Sequence, residues 1–173
     1  MLETFALASC AAVAYHHAAY PLLLRLMAKK ETRTPPPKGE RPSVAILVPA
    51  FQEARRITEK LRNLAALDYP RDKFKIVVLC DGCTDATAEL ARTQALALET
   101  QNVIVEIVEH EDNRGKVAVL NEAIAAVDAR IVVLTDVSSR VAPDALEKLT
   151  AWFADPDIGI ACGRYQIAPN AQP

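Results

Sequence analysis

Glycine is scarce in this chain, five among 173 residues, and no two glycines stand closer than Gly159 and Gly163. Dinucleotide-binding turns and P-loops need glycines close together so that backbone amides can approach phosphate, so both are excluded. An excess of one charge is also missing: 20 Lys and Arg face 22 Asp and Glu, a formal net charge of −2. Nucleic-acid binders carry a basic face, so no nucleic acid partner is expected and any anionic ligand has to be gripped locally. The four cysteines lack regular spacing, which excludes a disulfide framework and suits a reducing compartment. Internal repeats and low-complexity tracts are absent too.

What the chain does have is 51% hydrophobic residues, enough for one domain with a substantial core. The first apolar run, "TFALASCAAVAYHHAAYPLLL", lies between Glu3 and Arg25 without a formally charged residue. As a helix its 21 residues would reach about 30 Å, the thickness of a bilayer core. The expectation is a membrane anchor helix over residues 1–30. His16 and His17 near its centre count against burial in lipid and leave a peripheral or packed helix as the alternative. Arg25, Lys29, Lys30, Arg33, Lys38 and Arg41 follow against Glu31 and Glu40, and the positive-inside rule assigns that side to the cytoplasm. The expected location is the cell membrane, with the following domain cytoplasmic. A proline-rich spacer, 31–42, separates the two, since proline cannot continue a helix and stiffens an extended chain.

From residue 43 the pattern alternates. Strands are predicted over 43–48, 74–80, 103–108 and 130–135. Helices are predicted over 54–67, 85–100, 116–127 and 143–153, with Pro143 at a first helical position. Runs such as "IVVL" are apolar on both faces, which predicts an open, mostly parallel α/β sheet with helices on both faces. Val117, Leu120, Ile124 and Val127 are expected to face that sheet, and 158–162 to begin a fifth strand. Ligands of such sheets bind beyond the carboxyl ends of the strands. Polar residues gather at those ends, in "PAFQE", "CDGCTD", "EHEDNRGK" and "TDVSS".

Each cluster admits more than one reading. Cys80-x-x-Cys83 could be a redox pair, half a zinc site, or two cysteines without a chemical role. Asp81 and Asp85 beside it oppose a lowered thiol pKa, and a zinc site would need two further ligands. Asp81-Gly82 is either a carboxylate and a flexible glycine placed against a base or ribose, or a turn whose Thr84 or Asp85 caps the next helix. Asp136 can hold a hard divalent cation shared with a diphosphate, or simply form a turn. Lys116 in a first helical turn opposes the helix dipole, a conflict that a nearby anion would resolve. Phe51 can stack on a base or serve the core, and Glu53 can satisfy a helix dipole.

In order and spacing, "VAILVPAFQEARRI", "KIVVLCDGCTDAT", "NRGKVAVLNEAI" and "IVVLTDVSSRVAPDAL" resemble the four donor-half motifs of family 2 glycosyltransferases: P-A-Y-N-E, D-D-G-S-T-D, N-x-G-K-x-x-A-L-N and a strand-terminal D-x-D. The resemblance runs from Ser43 to about Ile167. The leader with "YPLLL" is similar to the anchors of polysaccharide-making members. The resemblance implies a GT-A fold over 43–173 and inverting transfer of a sugar from a nucleotide diphosphate sugar, with a UDP-sugar as the guess. It also implies Mg²⁺ or Mn²⁺ as cofactor and a carbohydrate or lipid acceptor. It assigns Pro49, Ala50, Phe51, Glu53, Asp81, Gly82, Lys116 and Asp136 to the donor: Phe51 near the base, Glu53 on the base or ribose side, Asp81 bonded to the base, Lys116 near the phosphates. Asp136 is the metal ligand, with Ser138 as a further one. Cys80 replaces the first Asp of D-D-G, and Ser138 replaces the second Asp of D-x-D. The family's general-base Asp and its Q-x-x-R-W motif would follow Pro173. The expectation is therefore a donor-binding half that alone transfers no sugar. The alternative is a non-catalytic nucleotide-sugar-binding module.

Overall fold

The computed structural model describes residues 1–27 and 41–166. The chain divides into two compact units, 1–34 and 35–173. Most of the expected spacer, 31–40, lies outside the described residues.

In the first unit, α1 (Leu2–Ala14) and α2 (Tyr20–Met27) are joined by a π-helical turn, Tyr15–Ala19. Pro21 accounts for this turn. It has no N–H to give the carbonyl of residue 17, and its ring crowds that carbonyl. The preceding turn widens instead, with the Tyr20 N–H reaching the Tyr15 carbonyl. The apolar run is thus helical as segments of 13 and 8 residues on either side of the wider turn that holds the histidine pair. Among the described residues no helix is long and apolar enough to cross a membrane.

The second unit is an all-parallel sheet in the order β3-β2-β1-β4. Its strands are β1 (Val44–Ala50), β2 (Phe74–Asp81), β3 (Ile104–His110) and β4 (Ile131–Leu134). Central β1 is buried almost throughout, as its unbroken apolar run requires. Val44, Ile46, Val48 and Ala50 join a core with α3 (Ile57–Ala65), α4 (Thr87–Glu99) and α6 (Ala145–Thr150). Ala45 and Leu47 look the other way and pack with Val77 and Leu79 against α5 (Lys116–Ala126). Helices thus cover both faces, as expected of a GT-A-like sheet.

Two expectations about packing are corrected. The face of α5 on the sheet is Val119, Leu120 and Ala123, with Val127 partly buried at its end; Val117 and Ile124 are exposed. The helix is rotated relative to the predicted stripe, with Val119 and Ala123 against the sheet in place of Val117 and Ile124. The predicted fifth strand does not form. No ladder takes up 158–162, and Ile160 is 84% exposed. Pro143 stands in the turn before α6, whose N-cap is Asp144.

The topology locates the site. Chain order runs outward from β1 through β2 to β3 by helices on one face, then returns by α5 to place β4 on the other side of β1. The switch point, where such sheets open a crevice, lies between β1 and β4.

Candidate functional site

Pro49 widens that crevice. Its position follows Leu47 in the alternation that faces β4, and the β4 ladder ends one step earlier, at Leu47↔Leu134 and the Thr135 N–H to Leu47 carbonyl bond. A residue without an N–H therefore leaves no donor unpaired there. The gap becomes a cleft of about 280 Å³ lined by Pro49, Lys116, Leu120, Leu134, Thr135, Asp136 and Ser139. A larger hollow of about 630 Å³ lies at the amino ends of the strands, among Arg71, Leu96, Glu99 and Ile104. It carries no convergent chemistry and sits at the wrong edge for a sheet of this kind.

The four strand-end loops are stitched into one rim. Gln52, held at φ +55, accepts the N–H groups of Thr84 and Asp85 at 3.2 and 3.0 Å and donates to the Thr84 hydroxyl. Thr87 accepts the Glu53 N–H at 2.8 Å, and Asp85 accepts the Ala54 N–H at 3.2 Å. The other Asp85 oxygen takes the Thr87 hydroxyl and N–H, and these bonds, the hydroxyl foremost, hold its carboxyl below the usual carboxylate range. Asp85 is thus the turn-former ahead of α4. Clear of this stitching, Phe51 stays half exposed at the mouth, and Glu53 is partly buried with its carboxylate 3.8 Å from Arg56.

Asp81 and Gly82 meet the next loop. Asp81 is buried, and its two oxygens accept the N–H groups of Arg114 and Gly115, each at 2.8 Å. That places a carboxylate at the amino end of α5, where it satisfies free donors and suits the helix dipole. Gly82, at φ +66, has the Asp112–Asn113 backbone where a side chain would stand; an added Cβ would lie 2.4 Å from the Asn113 nitrogen. Its N–H donates to the His110 carbonyl. The close approach its glycine permits is that of the next loop.

Lys116 meets its anion in Asp136, Nζ to Oδ1 at 2.5 Å, both side chains about half exposed. Exposed Ser138 follows, separated from Asp136 by buried Val137. No group of three or more His, Cys, Asp or Glu that could hold a metal exists among the described residues. One carboxylate and one hydroxyl cannot cage a cation alone, but they fit Mg²⁺ or Mn²⁺ that draws its remaining ligands from a diphosphate. None of the four cysteines is in a disulfide. Burial, and then neighbouring Cys83, pushes the Cys80 thiol up to about 12. Cys83 donates to the Ala50 carbonyl at 3.4 Å.

Residues 42–168 match the family model described as glycosyltransferase like family 2. This chain belongs to that family. The family 2 chain is 30% identical over 132 residues to a beta-monoglucosyldiacylglycerol synthase of Synechocystis, covering 75% of itself and 27% of that protein. With a poly-beta-1,6-N-acetyl-D-glucosamine synthase of Staphylococcus aureus it shares 30% over 125 residues, 72% of this chain and 29% of that one. Among solved structures it resembles a mannosyltransferase of Pyrobaculum calidifontis in complex with GDP-Man and Mn²⁺. The TM-score is 0.74 at 36% identity, over 86% of this chain and 44% of that one. The chain thus spans about a quarter to under a half of the length of these relatives. Sequence reasoning about this transferase domain passed over Gln52 and Thr87, which stitch the rim, and Lys60, which lies beneath it. Their bonds join loops 30 or more residues apart, and no local pattern announces them.

Proposed function

We propose that this chain is the donor-binding half of a glycosyltransferase that moves a sugar, with inversion, from a nucleoside diphosphate sugar to a lipid or polysaccharide acceptor. The observation that carries this reading is the Lys116–Asp136 pair at the mouth of the switch-point cleft. A cation and a carboxylate paired only with each other at a half-exposed mouth suit a diphosphate that arrives with its own metal and takes over both. Bound Mg²⁺ or Mn²⁺ would neutralise charge on the departing diphosphate. On this reading Asp136, with Ser138, would hold that ion, while Lys116 turns from the carboxylate to the phosphates. Phe51 lies where a base would stack, with Pro49, Ala50 and Glu53 forming the wall beside it. Asp81 and Gly82 serve the donor at one remove, by fixing the 110–115 loop from which Lys116 projects.

A UDP-sugar is the donor expected from the resemblance, and GDP-mannose is the second to test because the mannosyltransferase was solved with GDP-Man. The relatives' names support a lipid or polysaccharide acceptor. Exposed Leu22, Leu23, Leu24, Leu26 and Met27 support contact of the first unit with a membrane surface, lying on it as a peripheral helix. The test is calorimetry of both donors with and without Mn²⁺, beside a sugar-transfer assay. Mn²⁺-dependent binding of a donor is the expected result. Absence of nucleotide binding in a folded sample would refute the site.

A further inference from the structure

Beneath the cleft lies a lysine that neither the motifs nor the proposed donor contacts use. Lys60 is 3% exposed on α3, although lysine is among the residues least often buried. Its Nζ donates to the Thr135 hydroxyl at 2.8 Å and to the Ser139 carbonyl at 2.7 Å. Those two residues bracket the segment that carries Asp136 and Ser138. One turn further along α3, Asn63 accepts the Val141 N–H at 2.8 Å and donates to the Val141 carbonyl at 2.9 Å. A single helix therefore holds the loop on both sides of the proposed cation ligand and again just beyond it.

We propose that Lys60 is a positioning residue for the cation end of the site, fixing the backbone around Asp136 and Ser138 from below. The inference rests on the reading of Asp136 as a cation ligand. With only one carboxylate and one hydroxyl on offer, the geometry of that short segment decides whether a hard cation finds both together. Mg²⁺ in particular tolerates little departure from its preferred arrangement. Were packing the only need, an aliphatic side chain at this position would fill the space without burying a charge. Burial does push the ammonium down to about 8, and the Asp136 carboxylate above opposes that shift, so the group stays mostly charged at neutral pH. The buried cation and the site's carboxylate thus share one field.

The experiment is calorimetric titration of UDP and of GDP, each with and without Mn²⁺, on the full chain and on Lys60→Met, Thr135→Val and Asp136→Asn, with a melting curve for each. Lys60→Met keeps the length of the side chain and removes its donors; Thr135→Val removes one acceptor and leaves α3 intact. The expected result is that Lys60→Met loses the Mn²⁺-dependent gain in nucleotide affinity by about tenfold. Thr135→Val should lose about threefold, and metal-free affinity should stay within about twofold in both. If Lys60→Met does not fold, the Thr135→Val shift alone decides in the same way. Folded variants that keep the full Mn²⁺ gain, while Asp136→Asn abolishes it, would overturn the role of Lys60 and leave the cation site standing. A wild type without any Mn²⁺ gain would overturn both.

Discussion

Replacing Gly82 by alanine should be among the most damaging single changes at the rim. At φ +66 a residue with a Cβ bears a cost of about 1–2 kcal/mol. The added carbon would also meet backbone: the Asn113 nitrogen at 2.4 Å and the Asp112 carbonyl carbon at 2.8 Å, both inside the 3.0 Å that real contacts keep. A flexible side chain cannot swing away to relieve this, so the 110–115 loop must move. That loop presents the Arg114 and Gly115 N–H groups to buried Asp81. Losing even one bond to the carboxylate adds about 1.5–3 kcal/mol. The sum is roughly 3–5 kcal/mol, or a fall of roughly 10 °C in Tm for a domain of this size. Gly115→Ala is the comparison without a clash, because φ +87 with ψ 145 strains a residue bearing a Cβ but the Cβ position is open, and it should cost about 1–3 kcal/mol. Urea unfolding of both variants measures the difference. Equal losses for the two would refute the claim that Gly82 is there for the approach of the neighbouring loop.

Four further outcomes are expected. Cys80 should resist iodoacetamide in the native protein at pH 8 while Cys10 and Cys162 react, since its raised thiol pKa and burial withhold the thiolate. By the same sign, this group contributes stability that is present below about pH 9 and is lost as pH rises toward about 12, because the unfolded thiol ionises first. Cys80→Ser should lower stability by about 1–3 kcal/mol in urea melts, because it places a hydroxyl in an apolar core; Cys83→Ser should be milder. Carbonate washing of a membrane fraction should release the protein if the first unit lies on the membrane surface as proposed; retention would point instead to a spanning segment.

The parallel strands and the gathering of polar loops at one edge are legible in the sequence because buried parallel strands are written as runs such as "VAILV" and "IVVLC", with a change of composition where each run ends; the order of the strands in the sheet is not. The pairing of Lys116 with an anion was legible too, from a cation placed against a helix dipole. What escaped is long-range. Nothing around Asp81 says that its carboxylate turns toward amides 33 and 34 residues away. The same holds for Lys60, whose exposed-looking helical position lies under a loop 75 residues on. The stripe on α5 was misplaced because periodicity fixes the spacing of a face, whereas packing against the sheet fixes which face is used. The π-helical turn in the leader is not legible from hydropathy, which adds residues without regard to what Pro21 does to the helix that contains it.

The most direct test of the central claim compares Lys116→Ala and Asp136→Asn in nucleotide titrations with and without Mn²⁺. The two side chains touch each other, yet the proposed site gives them separate duties. Lys116→Ala should weaken metal-free UDP or GDP binding about tenfold, the loss of one charge-assisted contact to phosphate. Asp136→Asn should leave metal-free affinity within about twofold and abolish the gain that Mn²⁺ brings. Unchanged nucleotide affinity in both folded variants, with and without Mn²⁺, would contradict the placement of a nucleoside diphosphate at this edge of the sheet.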